Sequence, residues 1–181
     1  MSTQRLTPFS HIVLVLVGEG GAGAHDLVRM ARQGRIYGEF ADSQWYAEPK
    51  RLAKLGYLAA RKEPGKTRER THYSLTPQGR DALKEWIAHP SPFSRFLLEP
   101  AWRLLAADIV GERAVRESLS GLRNEIADLN ARLDIGEAVA PTVPHRARYL
   151  MLNHRLARKL IAAHAEWLDE VERELATRRH S

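Results

Sequence analysis

The chain has 181 residues, with 28 lysines and arginines against 22 aspartates and glutamates, a formal net charge of +6 and a pI near 9.9. This length suits one or two small domains with a hydrophobic core, and the absence of cysteine excludes disulfides, thiol catalysis and thiolate metal sites. The apolar run 12–17 is too short to cross a bilayer and no cleavable signal precedes it, so the sequence predicts a cytoplasmic protein.

The positive charge is concentrated in the first half of the sequence. Residues 1–90 hold 14 Lys and Arg against 9 Asp and Glu, a net of +5, whereas residues 91–181 hold 14 against 13, a net of +1. A positive excess favours polyanionic partners. The distribution therefore directs the search for a nucleic-acid-binding element to residues 1–90.

The first two predicted elements are helices separated by a glycine-rich stretch. Thr7 caps the first helix and Pro8 occupies its first position, a combination that is typical of helix starts. The stretch 18–23 interrupts this helix, and a second helix is predicted over about 24–33, with Gly34 as its end.

The glycine-rich stretch also matches a dinucleotide-binding fingerprint. Gly18, Gly20 and Gly23 have the spacing G-x-G-x-x-G after the β-branched run 12–17, and Asp42 follows about twenty residues later. That fold requires further alternating strands and crossover helices, whereas the rest of this sequence indicates one hairpin followed by long helices. We therefore favour an inter-helix loop and keep a dinucleotide-binding enzyme as the less favoured alternative.

A third helix is predicted from Ser43, as its cap, to Gly56, which ends it. Pro49 lies inside this segment, and an interior proline removes one backbone donor and clashes with the preceding turn. The sequence thus predicts that the helix is kinked near Trp45 or that its regular part begins only at residues 48–49.

The polar and cationic side chains of this third helix are candidates for contact with DNA. Glutamine can read adenine and lysine can read guanine in the major groove, so we expect Gln44 and Lys50 to reach base edges. Tyr46 has a second interpretation, in which the ring packs on the helical core and the hydroxyl reaches a phosphate. The alternative for the whole set is an ordinary exposed polar helix face. The candidates on this helix are Ser43, Gln44, Tyr46, Lys50, Arg51 and Lys54.

A strongly basic hairpin is predicted next. Its strands are residues 57–62 and 71–75, and the tract between them is rich in lysine and arginine. The tract is either a solvated hairpin tip or a phosphate-binding wing. We favour the wing, because the tract directly follows a cationic helix. Thr76 then caps a further helix that has Pro77 at its first position. The expected phosphate contacts in the hairpin are Arg61, Lys62, Lys66, Arg68 and Arg70.

The second half of the sequence indicates long amphipathic helices. After a predicted hinge at 89–92 and a short apolar helix start at 96–107, apolar residues recur at spacings of four and three over roughly two and a half heptads. A connecting loop is predicted at 136–144, followed by a last helix over about 145–176. The expected apolar side of that last helix comprises Leu152, Leu156, Leu160, Ala163, Trp167 and Val171. Such helices need an apolar partner surface, so we predict an antiparallel pair that also joins a second subunit.

Aromatic and histidine residues of the second half are candidates for an effector pocket. Phe96, Trp102, Tyr149 and His154 are the candidate set, and the favoured alternative is that the tryptophans, Trp102 and Trp167, belong to a dimer core. The histidines lack the convergent spacing of a zinc site. With no G-x-S-x-G and no distinctive carboxylate pair, the sequence predicts neither an enzyme nor a bound cofactor.

The stretch 44–80 resembles the PadR family of bacterial transcriptional regulators. The resemblance depends on Tyr46, on the segments 50–52 and 55–58, and on Tyr73-Ser74-Leu75-Thr76-Pro77-Gln78-Gly79-Arg80. It extends over most of the chain and is similar to the branch of virulence-gene activators with a long C-terminal helical domain. It implies repression that is relieved by a small, often phenolic, molecule.

Together these observations predict a mainly α protein. A winged helix-turn-helix domain with a two-stranded wing occupies residues 1–90, and an antiparallel helical dimerisation domain occupies residues 91–181. The predicted function is a DNA-binding transcriptional regulator, acting as a repressor, that binds a pseudo-palindromic operator in double-stranded DNA as a homodimer. A winged-helix module that binds only protein partners is the first alternative.

Overall fold

The computed structural model describes residues 6–33, 40–64, 69–93 and 98–177, and the chain divides into two units, Met1–Phe93 and Ser94–Ser181. The first unit contains helices α1 (Pro8–Val17), α2 (Ala24–Gln33), α3 (Asp42–Lys54) and α4 (Pro77–Ala88), and strands β1 (Ala22–Gly23), β2 (Leu58–Glu63) and β3 (Arg70–Leu75). The second contains α5 (Glu99–Leu105), α6 (Ala107–Val110), α7 (Glu112–Leu119), α8 (Leu122–Val139), a 3₁₀ turn (Ala140–Thr142) and α9 (Pro144–Thr177).

The start of α1 has the cap that its sequence predicts. The Thr7 hydroxyl accepts from the Ser10 amide at 3.1 Å, and the Ser10 hydroxyl accepts from the Thr7 amide at 2.8 Å. This reciprocal pair satisfies two amide donors that have no partner within the helix. The helix ends at Gly18, whose φ of +53° is a left-handed conformation that favours glycine.

The glycine-rich stretch forms a turn and a short strand between two helices. Residues 12–17 are helical, so the strand that must precede a dinucleotide-binding turn is not formed there. Ala22 and Gly23 instead pair with Tyr73 and His72 of β3. The sheet therefore has three strands in the order β1-β3-β2, where the sequence predicted only the two of the wing.

The wing itself is an antiparallel hairpin. Its register runs from Leu58 opposite Leu75 to Glu63 opposite Arg70, which agrees with the predicted strands to within a residue at each end. The core of the first unit lies between this sheet and helices α1–α3. Its buried members are Val13, Leu14, Val17, Ala22, Leu27, Val28, Trp45, Leu52, Leu58 and Tyr73.

Two helix boundaries in the second unit differ from the prediction. The expected continuous apolar seam is interrupted at Ser120–Gly121, so Leu119 ends α7 and Leu122 begins α8. The predicted loop 136–144 is also shorter, because α8 continues to Val139 and the 3₁₀ turn follows at once. Gly136 lies within α8, and its lack of a side chain allows the His154 ring to lie 3.1 Å from where a Cβ would be.

Within one chain, the last helix packs mainly through a face that lies beside the predicted apolar side. Ala157, Ile161, Leu168, Val171 and Leu175 are buried, and the last three share a core with Val115 and Leu119 of α7. Of the predicted side, Val171 is buried, whereas Leu152 and Leu156 remain 50% and 52% exposed. The predicted side is therefore only partly buried within one chain, where Trp167 packs against the same core, and its covering by a second subunit stays a prediction.

Two arginines join α9 to α8 by ion pairs. Arg123 contacts Asp169 at 2.5 Å and Glu172 at 2.6 Å, and Arg158 contacts Asp134 at 2.5 Å and Glu137 at 2.9 Å. These pairs hold the two helices in antiparallel register. Within the described part of the chain, no helix is both long and apolar enough to cross a membrane.

Candidate nucleic-acid interface

The N-terminal end of α3 is capped by Gln44. The helix begins at Asp42, one residue before the cap that we predicted at Ser43, and the Gln44 side-chain oxygen accepts from the Ala41 amide at 3.1 Å. Reading adenine uses the same amide oxygen together with the amide nitrogen. The cap therefore already occupies one of the two acceptor positions of the oxygen that an adenine contact would use.

Pro49 lies within a continuous helix. Helix α3 runs from Asp42 to Lys54 through Pro49, so the predicted late start at residues 48–49 is wrong. The proline removes the hydrogen bond to the carbonyl of Trp45, four residues earlier. Its ring is fully buried, and this packing offsets the lost hydrogen bond.

One face of α3 is left open to solvent. Tyr46, Lys50 and Lys54 follow each other at intervals of four residues and form one row along the helix, and all three are exposed. Ser43 is exposed at the same end. Among the residues that the structure describes, neither lysine forms an ion pair, so both ammonium groups are available to an anion.

Arg51 differs from the other cations of α3. Its Nε and Nη2 donate to the two carboxylate oxygens of Glu48 at 2.8 and 2.6 Å, and Nη2 also donates to the Ser10 hydroxyl at 2.9 Å. The hydrogen bond from Arg51 is the main reason why the pKa of Glu48 lies below its ordinary value. Arg51 is thus directed towards α1 and not towards the open row.

The C-terminal end of α3 is joined to the wing and to α4. The Tyr57 amide donates to the Leu52 carbonyl at 3.0 Å and the Gly56 amide to that of Ala53 at 3.1 Å, with Gly56 at φ +84°. This is a Schellman motif. The Thr76 hydroxyl lies 2.7 Å from the Gly56 carbonyl oxygen, so the residue that caps α4 also holds the end of α3.

The cations of the wing are paired with neighbouring carboxylates. Arg61 lies 2.6 Å and Arg70 lies 3.5 Å from Glu63, and Lys62 lies 3.4 Å from Glu69. The hydrogen bond from Arg61 lowers the pKa of Glu63. These ion pairs are weak, because the cations are more than half exposed, so a phosphate can replace the carboxylate. Lys66 and Arg68 lie outside the described residues.

The candidate effector residues are not brought together by any aromatic contact in the described ranges. Trp102 on α5 and Tyr149 on α9 are each 64% exposed, and the ring contacts in 6–33, 40–64, 69–93 and 98–177 involve neither. His154 packs against Gly136. Phe96 lies outside the described residues, and no group of three potential metal ligands occurs among those that are described.

Ser10 and Glu48 were not predicted from the sequence. Glu48 precedes Arg51 by three residues, a spacing at which ion pairs form along a helix, and this was the available signal. Ser10 gave a weaker signal, as one hydroxyl within an otherwise apolar helix face.

Comparison with known proteins gives matches of structure and none of sequence. No protein-family model and no protein of curated function matches the sequence. The fold matches Bacillus subtilis PadR in complex with operator DNA, with a TM-score of 0.70 at 17% identity over 96% of this chain and 99% of that one. It also matches the Vibrio cholerae virulence activator AphA, with a TM-score of 0.71 at 25% identity over 93% and 98%.

The fold of this chain is similar to that of PadR-type regulators. A PadR-like transcriptional regulator from Bacillus cereus matches with a TM-score of 0.66 at 11% identity over 98% of this chain and 99% of that one. These likenesses extend through both units. The PadR-type fold therefore includes the C-terminal helices as well as the winged helix, as the sequence resemblance implied.

Proposed function

We propose that this chain is a transcriptional repressor that binds a pseudo-palindromic operator in double-stranded DNA as a homodimer. The observation that carries the proposal is the exposed row of Tyr46, Lys50 and Lys54 on α3, next to a basic hairpin. A helix of this kind fits the major groove, while the hairpin follows the adjacent phosphates. The operator complex of the similar PadR protein supports the same use of this fold.

The first test measures how the affinity for DNA depends on salt. Fluorescence anisotropy of a labelled duplex from the chain's own promoter gives the dissociation constant at several salt concentrations. Each lost phosphate contact lowers the log–log slope by about 0.9, so one substitution per subunit of a dimer lowers it by about 1.8. We expect Lys54→Gln to show this effect, and Lys50→Gln to weaken operator binding more than random binding.

Lys84→Gln is the matched control for these variants. Lys84 lies on α4 and pairs with Asp81, and the substitution removes the same charge from the same unit. Its salt slope should equal that of the wild type. If Lys54→Gln and Lys84→Gln gave the same slope as wild type, α3 would not be the phosphate-contacting helix.

The wing supplies a second, sequence-independent contribution to DNA binding. We propose that Arg61, Lys62 and Arg70 exchange their present carboxylate neighbours for phosphate oxygens, and that Lys66 and Arg68 also contact phosphate. Alanine at both Lys66 and Arg68 should weaken binding to operator and to random DNA by similar factors. Unchanged affinity for both duplexes would mean that the wing is only a turn.

The exposed row on α9 supports a dimer. Tyr149, Leu152 and Leu156 lie at positions i, i+3 and i+7, so they share one face, and each is at least half exposed. Removing α9 would also remove buried core residues of the second unit, so a truncation does not isolate the interface. Leu152→Glu with Leu156→Glu should instead give a folded monomer in sedimentation velocity. Ala162→Glu should leave the dimer intact, because Ala162 is exposed on the same helix but points about 100° away from this row. A dimer that persisted in the double variant would place the interface elsewhere.

We further propose that a small aromatic effector binds the second unit and relieves repression. Phe96, Trp102, Tyr149 and His154 are the candidate contacts. Support comes from a further structure of Bacillus subtilis PadR, in complex with p-coumaric acid, which matches with a TM-score of 0.60 at 17% identity over 93% of this chain and 97% of that one. Phenolic acids should quench tryptophan fluorescence and weaken operator binding in the wild type, with a smaller quench in Trp102→Leu. Quenching without loss of operator affinity would refute the regulatory role.

A further inference from the structure

The basic helix α3 is tied to α1 by three polar side chains that form a closed network. The Ser10 hydroxyl donates to Glu48 at 2.7 Å, and Arg51 donates both to Glu48 and to Ser10. Ser10 is fully buried, and the side chains of Glu48 and Arg51 are only 13% and 31% exposed. The network therefore lies at the interface between the two helices, below the solvent-exposed row.

The hydroxyl of Ser10 has no remaining hydrogen-bonding capacity. A serine hydroxyl has one donor and two acceptor positions. It donates to Glu48, accepts from Arg51 and from the Thr7 amide, and lies 3.0 Å from the Thr7 hydroxyl. The same hydroxyl thus completes the cap of α1 and binds the ion pair of α3, so it links the polar groups of the two helices in addition to their apolar contact at Phe9 and Trp45.

A phosphate contact by Arg51 would disrupt this arrangement. Withdrawing the guanidinium would leave the Glu48 carboxylate charged, largely buried and without its strongest hydrogen-bond donor. Separating one member of such a pair is unfavourable because the remaining charge is poorly solvated. Lys50 and Lys54 need no such rearrangement, since both ammonium groups are in solvent.

From this geometry we infer that Arg51 is a positioning residue that sets the rotation of α3 on α1, and that it does not contact DNA phosphate. Arg51 follows Lys50 directly in sequence, so its side chain points about 100° around the helix axis from that of Lys50. Fixing Arg51 on Ser10 and Glu48 therefore fixes the direction of the row formed by Tyr46, Lys50 and Lys54. This inference builds on the proposed function and assigns Arg51 a role within it.

Arg51→Lys separates the two roles most sharply. Lysine keeps the positive charge but lacks the planar fork that donates two parallel hydrogen bonds to a carboxylate. A phosphate contact survives this substitution, whereas the positioning network does not. Arg51→Met removes both the charge and the fork, and Ser10→Ala removes only the hydroxyl.

The experiment measures dissociation constants on promoter DNA and on random duplexes of the same length, over a range of salt concentrations. Circular dichroism at the assay temperature identifies the folded fraction, so each constant refers to folded protein. We expect Arg51→Lys and Arg51→Met each to lower the operator-to-random affinity ratio about tenfold, the scale of one lost base contact. Both should keep the wild-type salt slope, and Ser10→Ala should lower the ratio in the same direction.

Three results would overturn the inference. A salt slope that falls in Arg51→Met but not in Arg51→Lys would identify Arg51 as a phosphate contact. A lower melting temperature with an unchanged ratio in all three variants would show that the network only stabilises the fold. Failure of the wild type to bind any duplex would overturn the proposed function as well, and this outcome is distinct from the other two. Should Arg51→Met not fold, Arg51→Lys and Ser10→Ala decide the matter.

Discussion

Replacing Gly79 by alanine should destabilise the first unit, because the start of α4 lies against the chain that leaves α3. A Cβ at this position would overlap the Tyr57 carbonyl oxygen and lie 3.2 Å from Leu75 Cδ2. The Tyr57 carbonyl is itself held, accepting from the Thr76 amide at 3.3 Å and lying 3.0 Å from the Thr76 hydroxyl. Neither backbone segment can move without weakening these hydrogen bonds.

The size of the effect follows from three contributions. Forcing an extra carbon into a well-packed contact costs about 1–3 kcal/mol, and weakening one hydrogen bond adds about 1 kcal/mol. Alanine is a better helix former than glycine by up to about 1 kcal/mol, which offsets part of this loss. We expect a net loss of about 1–3 kcal/mol, or roughly 5–20 °C in melting temperature for a unit of this size.

Thermal and urea unfolding followed by circular dichroism measure this change. Gly20→Ala is the matched control, since a Cβ there meets nothing within 4 Å and the residue does not have a positive φ. It should be neutral or stabilising by up to about 1 kcal/mol. Equal stability of Gly79→Ala and Gly20→Ala would refute the close packing of α4 on the end of α3.

Three further substitutions test the geometry of α3. Gly56→Ala should lower the unfolding free energy by about 1–2 kcal/mol, because φ is +84° at this position; a neutral result would contradict the Schellman end. Pro49→Ala should change the unfolding free energy by less than about 1 kcal/mol, because the better helix propensity of alanine is offset by loss of a fully buried ring. A large change of either sign would contradict this balance and show that one contribution dominates. Because the folded-state pKa of Glu48 lies below its ordinary value of 4.5, its ion pair stabilises the fold above that pH and is lost as pH falls through the folded pKa. Wild-type protein should therefore lose stability more steeply than Glu48→Gln below pH 4.5, and identical pH profiles would contradict the pairing.

Local signals in the sequence were sufficient for most of the elements. Thr7-Pro8 and Thr76-Pro77 identified two helix starts, because capping depends on residues within one turn. Gly56 identified the end of α3 for the same reason. The basic tract between the predicted strands located the wing.

Features that depend on distant residues were not predicted. Strand β1 forms because Ala22 and Gly23 meet Tyr73 and His72, about fifty residues later, and no local pattern marks so short a strand. The burial of Pro49 likewise depends on tertiary packing, which overrode its poor helix propensity. The buried face of α9 could not be chosen from periodicity alone, since two faces carry apolar residues.

Residue type alone was enough to choose the candidate site residues. The contacts in the structure then show which of them are open to solvent and which are engaged within the protein. Lys50 and Lys54 lie on the exposed face of α3, as a DNA-reading helix requires. Gln44 and Arg51 have the right chemistry for DNA, but their hydrogen bonds to Ala41 and Glu48 engage them within the protein. Sequence reasoning could not assign these bonds because they depend on where the helix begins and on which face meets α1.

Selection of binding sites from a random duplex library tests the central claim most directly. A dimer that places one α3 in each of two major grooves should enrich an inverted repeat. Its half-site centres should lie about 10 base pairs apart, or a multiple of this, since one turn of DNA spans about 34–36 Å. Enrichment of such a repeat by the wild type, and its loss in Lys50→Gln, is the predicted result. Recovery of unselected sequence, or of a site with no second half, would contradict the account of a dimeric winged-helix regulator.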